Sequence, residues 1–176
     1  IVTVSHDHHD HNNVSAVKGT AAAQPFIINQ PGEYEIKNVF ICGFPSWHDT
    51  KEGKERGKNT IFRIELEGLR ILHLGDLGHL LANGQLDEIG DIDILMIPVG
   101  GTYTLDAKAA VQLVSQVEPR IVIPMHYKIK GLKSDLAPLD KFCQEMGICP
   151  KETINKLKIA KKDLPTEEMK IVVLEP

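Results

Sequence analysis

Several things are scarce in this sequence, and each scarcity excludes something. Aromatic residues make up 5% of the 176 residues, too few to suggest the stacked platforms on which single-stranded nucleic acids are bound. Basic residues do not dominate. Twenty Lys and Arg stand against 24 Asp and Glu, for a net charge of −4, so charge gives no strong nucleic-acid signal. No run of 18 apolar residues occurs, and no membrane span is expected. Cysteine is limited to Cys42, Cys143 and Cys149, with no C-x-x-C pair. That pattern reads as three reduced, mostly buried thiols of a cytoplasmic protein. Neither a Walker-type phosphate loop nor G-x-G-x-x-G is present, so nucleotide-dependent chemistry is not suggested. Hydrophobic residues at 42% and charged residues at 25% are ordinary for a globular chain, and the length fits one domain over 1–176.

Histidine is what the chain does have. Of eight histidines, His6, His8, His9 and His11 fall within the first eleven residues, where even scatter would put fewer than one. They follow a β-branched run, Ile1-Val2-Thr3-Val4, which reads as a strand ending in a polar turn. Val14 and Val17 read as a short helix stopped by Gly19, and Phe26–Ile28 as a strand. Tyr34–Ile36 with Val39–Phe44, and Thr60–Leu66 with Leu69–Leu74, read as hairpins bent at Lys37-Asn38 and Glu67-Gly68. Thr50–Asn59 is the most polar stretch. It reads as a solvated loop, and its place after Trp47-His48-Asp49 leaves room for it to line a site.

Ile92–Val99 is nearly all apolar, as in a strand buried on both faces. Ala110, Leu113, Val114 and Val117 recur at helical spacing and predict a helix over Leu105–Val117, capped by Thr104 or Asp106. Arg120–Met125 predicts a strand ending at His126. Leu136, Leu139, Phe142, Cys143 and Met146 predict a helix with Ser134 as N-cap and Gly147 as stop. Ile171–Leu174 predicts a last strand, and the Lys-rich stretch 151–162 a solvated face. Hairpins followed by alternating strands and helices give an α/β class with a mixed sheet.

The sharp feature is H-x-H-x-D-H, running from His6 to His11. Metal chemistry needs neutral imidazoles and ionised carboxylates that converge. Alternate side chains on a turn let His6 and His8 share one ion, while Asp10 and His11 reach a neighbouring one. Paired metals clamp attacking and leaving oxygens together. Single candidates follow at later strand ends: His48, Asp76 and His126. His73 reads as a core or supporting histidine.

On SHDHHDHN (5–12), WHD (47–49), ILHLGDLGH (71–79), PVGGTYTLDAKAA (98–110) and IPMHY (123–127), the chain resembles the metallo-β-lactamase superfamily. It looks closest to an uncharacterised metal-dependent hydrolase branch that also resembles ascorbate-phosphate lactonases and N-acyl-phosphatidylethanolamine phospholipases. The resemblance implies an αββα sandwich and two divalent metals, zinc first, with manganese, iron or nickel as alternatives. It implies that His6, His8 and His48 hold one metal, that Asp10, His11 and His126 hold the other, and that Asp76 bridges them. His9 and Asp7 are not expected to ligate. Oxygen-reducing diiron members carry Glu where this chain has His8, which argues against redox chemistry.

The expected activity is hydrolysis of an ester, lactone or phosphodiester in a small-molecule substrate. The expected nucleophile is a metal-bridging hydroxide, with Asp10 as the catalytic carboxylate that orients it and takes its proton. The alternative is a metal-binding or regulatory protein without turnover. His79, Tyr103 and Tyr127 are substrate-facing candidates. Gly100-Gly101-Thr102-Tyr103-Thr104 reads either as an anion-binding turn or as a plain helix start. In the superfamily, several strands precede the histidine turn. A chain opening at Ile1 is therefore expected to lack them, and a homo-oligomer that covers the exposed residues stays open.

Overall fold

The structure is a computed structural model that describes residues 1–20, 23–150 and 152–175. Two short strands, β1 (Val2–Thr3) and β2 (Ile27–Ile28), pair in parallel. Seven more form one mixed sheet: β3 (Gly32–Ile36), β4 (Val39–Trp47), β5 (Lys58–Leu66), β6 (Leu69–His73), β7 (Ile94–Pro98), β8 (Ile121–Met125) and β9 (Lys170–Ile171). Their spatial order is their chain order. Pairing is antiparallel from β3 to β6 and parallel from β6 to β9.

Both expected hairpins form. Ile36 pairs with Val39 across Lys37 and Asn38, whose φ values are 53° and 63°. Two positive φ angles give the turn whose twist matches that of the flanking strands. Among the described residues, three α-helices follow: α1 (Asn83–Ile89), α2 (Ala107–Val117) and α3 (Leu139–Met146). The side chains of β7 and β8 alternate between two cores. Leu95, Ile97 and Val122 join Leu113, Val114 and Phe142 of the helices, while Ile94, Ile121 and Ile123 cluster on the opposite face. Double-sided burial is why Ile92–Val99 is nearly all apolar.

Several expectations need correction. The helix predicted from Leu105 begins at Ala107, because Asp106 caps it; its Oδ1 accepts the Ala109 N–H at 2.9 Å. Ser134 does not cap α3. Pro138 occupies that position, since proline lacks an N–H and holds the residue before it extended. The Ser134 carbonyl instead accepts from Lys128 Nζ. Helix α1 went unpredicted: its buried apolar contribution is Ile89 alone, and Gly84 weakens the helical signal.

The cysteine reading is also corrected. Cys143 and Cys149 form a disulfide, and only Cys42 is a free thiol. Gly147, with φ 70°, ends α3 and reverses the chain, which brings Cys149 back over the last turn, with a Cα–Cα distance of 4.9 Å. In the Lys-rich stretch, Lys151 lies outside the described residues, and Lys156, Lys158, Lys161 and Lys162 are exposed. Lys161 nonetheless reaches buried Asp93, with Nζ at 2.7 Å from both carboxylate oxygens. Among the described residues, no helix is long and apolar enough to cross a membrane.

Candidate metal centre

Strand direction brings the predicted residues together. β4 and β6 both run antiparallel to β5, and β6, β7 and β8 are parallel, so the C-terminal ends of β4, β6 and β8 lie on one edge. His48 follows β4, Asp76 follows β6 and His126 follows β8. The histidine turn after β1 is tied to the same edge by the Thr60 N–H, which donates to the Ser5 carbonyl at 2.7 Å.

Asp76 is the centre of the cluster. Its Oδ2 lies 3.3 Å from His48 Nε2, 3.4 Å from His126 Nε2, 3.6 Å from His11 Nε2 and 3.7 Å from His6 Nε2. Burial alone would raise the pKa of this carboxyl. The hydrogen bond from His48 and the fields of His126, His11 and His6 more than offset that and hold it at about 2. For His6 burial wins, and its pKa falls to about 4, so the ring is neutral at pH 7 with a lone pair to offer.

Among the described residues, two groups have ligand atoms within 4.8 Å of one another: His6 with His8 and His48, and His6 with His11 and Asp76. His6 belongs to both. Its Nδ1 pairs with Ser5 Oγ at 2.9 Å, while its Nε2 is buried without a hydrogen-bond partner. An unpaired buried nitrogen costs desolvation free energy. A cation taking that lone pair removes the cost. Imidazole and carboxylate donors suit zinc and its neighbours among the divalent transition metals, so the residues present fit a divalent metal.

The family pattern described as "Beta-lactamase superfamily domain" matches residues 1–126. The chain belongs to the metallo-beta-lactamase superfamily. It is 32% identical over 148 residues to a protein of Thermococcus onnurineus named a UPF0173 metal-dependent hydrolase, covering 72% of this chain and 66% of that one. A protein of Staphylothermus marinus with the same name is 31% identical over 144 residues, covering 72% and 61%. The chain thus spans less than two thirds of these relatives. Among solved structures, a candidate Zn-dependent hydrolase of the superfamily from Thermotoga maritima superposes with a TM-score of 0.76 at 38% identity. That match covers 98% of this chain and 80% of the other.

In this superfamily member the remaining predicted residues take varied positions. Asp10 sits at the rim, with its side chain 62% exposed and Oδ2 3.7 Å from His11 Nε2. It belongs to neither close group. His9 is exposed, and Asp7 accepts from Asn12. His79 is engaged elsewhere. Its Nε2 accepts the Trp47 N–H at 3.2 Å, leaving Nδ1 to donate to the Leu80 carbonyl at 2.8 Å. Tyr127 lines a cavity of about 430 Å³ with His11, His126, Met96 and Ile123, and burial pushes its hydroxyl pKa up. Tyr103 packs its ring under Arg56, at 4.8 Å. His73 Nδ1 accepts the Gly75 N–H at 3.0 Å, steadying the turn that carries Asp76.

Sequence reading missed the residues that hold this site in shape. Asn59 is buried in β5. Its Nδ2 donates to Ser46 Oγ and the Leu74 carbonyl at 2.8 and 2.9 Å, and its Oδ1 accepts the Asp76 N–H at 3.0 Å. Asp49 is also buried. Burial would raise its pKa, but the backbone N–H groups of Arg56, Lys51, Glu55 and Gly53 hold it at about 2. Gly100 meets the His126 carbonyl so closely that a Cβ there would lie 2.1 Å from it. Close packing against the His126 turn therefore requires this glycine. A buried Asp directly after a candidate ligand histidine was visible as WHD (47–49), but its partners were not.

Proposed function

We propose that the protein is a metal-dependent hydrolase whose Asp76-centred cluster holds two divalent cations, zinc first, and cleaves an ester, lactone or phosphodiester. The observation that carries this reading is the convergence of four imidazole Nε2 atoms on one buried carboxylate oxygen, at 3.3–3.7 Å. His6, His8 and His48 are proposed to hold one cation, and Asp10, His11 and His126 the other, with Asp76 between them. Bound cations supply Lewis acidity towards a carbonyl or phosphoryl oxygen and make water acidic enough to ionise near neutrality. Asp10 is ionised at neutral pH, its pKa lowered first by its own backbone N–H, and it is open to solvent. We assign it the role of orienting water and accepting its proton. Asn59 keeps Asp76 aimed into the cluster through the backbone.

Metal analysis paired with turnover of bis(p-nitrophenyl) phosphate and of a simple γ-lactone tests this reading. Two metals per chain with hydrolysis of either substrate is the expected result. Full occupancy with no hydrolysis would move the protein to the metal-binding class. No metal after chelator-free purification would overturn both readings.

A further inference from the structure

We propose that Arg56 is a substrate-recognition residue beside the metal cluster, held there by Asp49 and Tyr103, and that it selects substrates bearing a carboxylate or phosphate group near the scissile bond. The proposal rests on the hydrolase reading for the word substrate, and on independent geometry for the anion. The loop after His48 contains Lys51, Lys54, Arg56 and Lys58 against Glu52 and Glu55. Both acids are spent locally: Glu55 pairs with Lys51 and Glu52 with Lys54. Among the described residues, no carboxylate lies within ion-pair distance of Arg56 or Lys58. Neither cation is therefore neutralised by a side-chain ion pair at this edge of the candidate cluster.

Arg56 is also held in place. Its backbone N–H donates to Asp49 Oδ2 at 2.7 Å, and the same buried carboxylate takes the N–H groups of Lys51, Gly53 and Glu55 at 2.7–3.0 Å. The loop closes where the His48 N–H donates to the Gly57 carbonyl at 3.1 Å. The guanidinium lies over the Tyr103 ring, a stacking that arginine's flat cation favours. Among the described residues, the guanidinium makes one hydrogen bond, a long one from Nη2 to the Thr102 carbonyl at 3.4 Å, which leaves most of its five N–H donors unused. Arg56 and Lys58 line a cavity of about 540 Å³ together with His6 and His8. Arg56 thus lines the same cavity as two of the proposed metal ligands, and its planar fork of donors suits a planar or tetrahedral oxyanion.

The test uses the zinc-loaded protein, with metal content measured for every variant. Inorganic phosphate and, separately, glutarate are titrated calorimetrically into wild type, Arg56→Ala and Arg56→Lys. Binding is expected to weaken about tenfold in Arg56→Ala, equivalent to about 1.4 kcal/mol, and roughly threefold in Arg56→Lys, which keeps charge but loses the fork. Comparison of the two ligands tells phosphate recognition from carboxylate recognition. In parallel, the kcat/KM ratio of mono-p-nitrophenyl glutarate to p-nitrophenyl acetate is expected to fall about tenfold in Arg56→Ala. Wild-type affinity for both anions in metal-replete Arg56→Ala, or an unchanged ratio, overturns the proposal. If wild type turns over no ester, the hydrolase reading fails, and the calorimetry still decides whether Arg56 binds anions. Should Arg56→Ala fail to fold, Arg56→Lys carries the same comparison.

Discussion

Replacing Gly78 by alanine should damage the candidate metal centre without touching a proposed ligand. Gly78 sits two residues after Asp76, and its N–H donates to the Trp47 carbonyl at 3.0 Å. A Cβ built there would lie 2.5 Å from Asp49 N, 2.5 Å from His48 C and 2.6 Å from the His48 carbonyl oxygen. These are backbone atoms that cannot swing aside, so the turns carrying Asp76 and His48 must separate. Overpacking of this kind costs about 1–3 kcal/mol. For a chain of this size that lowers Tm by about 3–10 °C, and zinc content should fall because His48 moves away from Asp76. Gly84→Ala is the matched control. Gly84 lies in α1 with open space where a Cβ would sit, and alanine there should stabilise by about 0.5–1 kcal/mol. Differential scanning calorimetry with elemental analysis reads both variants. A Gly78→Ala protein that melts at the wild-type temperature and keeps its metal would refute the argument that these turns are in contact.

Asp76→Asn should leave fewer than two zinc ions per chain with an unchanged far-UV spectrum; retention of both ions would remove Asp76 from the site. Asn59→Ala leaves the Asp76 N–H and the Leu74 carbonyl without their partner, and should cost about 2–4 kcal/mol in urea unfolding; a loss under 1 kcal/mol would count against this network. Thiol titration under denaturing, non-reducing conditions should give one reactive thiol per chain and three after reduction, and three without reductant would restore the fully reduced reading.

Much of the fold was legible because its signals are local. The Lys37-Asn38 bend, the helical spacing of Ala110, Leu113, Val114 and Val117, and the strand over Arg120–Met125 each depend on neighbours in sequence. The histidine turn was legible for the same reason, since His6 and His8 alternate on one short segment. What stayed hidden depends on distant parts of the chain. That His6 shares ligand distance with both groups follows from where β4 and β6 place His48 and Asp76. The reach of Asn59 across β4, β5 and β6, and the approach of Gly100 to the His126 carbonyl, are set by packing between strands. Helix α1 was hidden because Ile89 is the one residue it buries. The Cys143–Cys149 pairing depended on a chain reversal that Gly147 signalled only as a stop.

The placement of His6, His48, Asp76 and His126 after four different strands has a consequence for folding as well as chemistry. These residues are scattered over most of the chain, and an unfolded chain does not hold them together. A cation bound by them would join distant segments like a reversible staple, favouring the native state over the unfolded one. Its effect would grow with free metal, by about 2.7 kcal/mol at a hundredfold excess over the dissociation constant for one site. Chelation would then loosen the whole sheet edge at once, so the metal would act as one of the longest-range contacts in the fold.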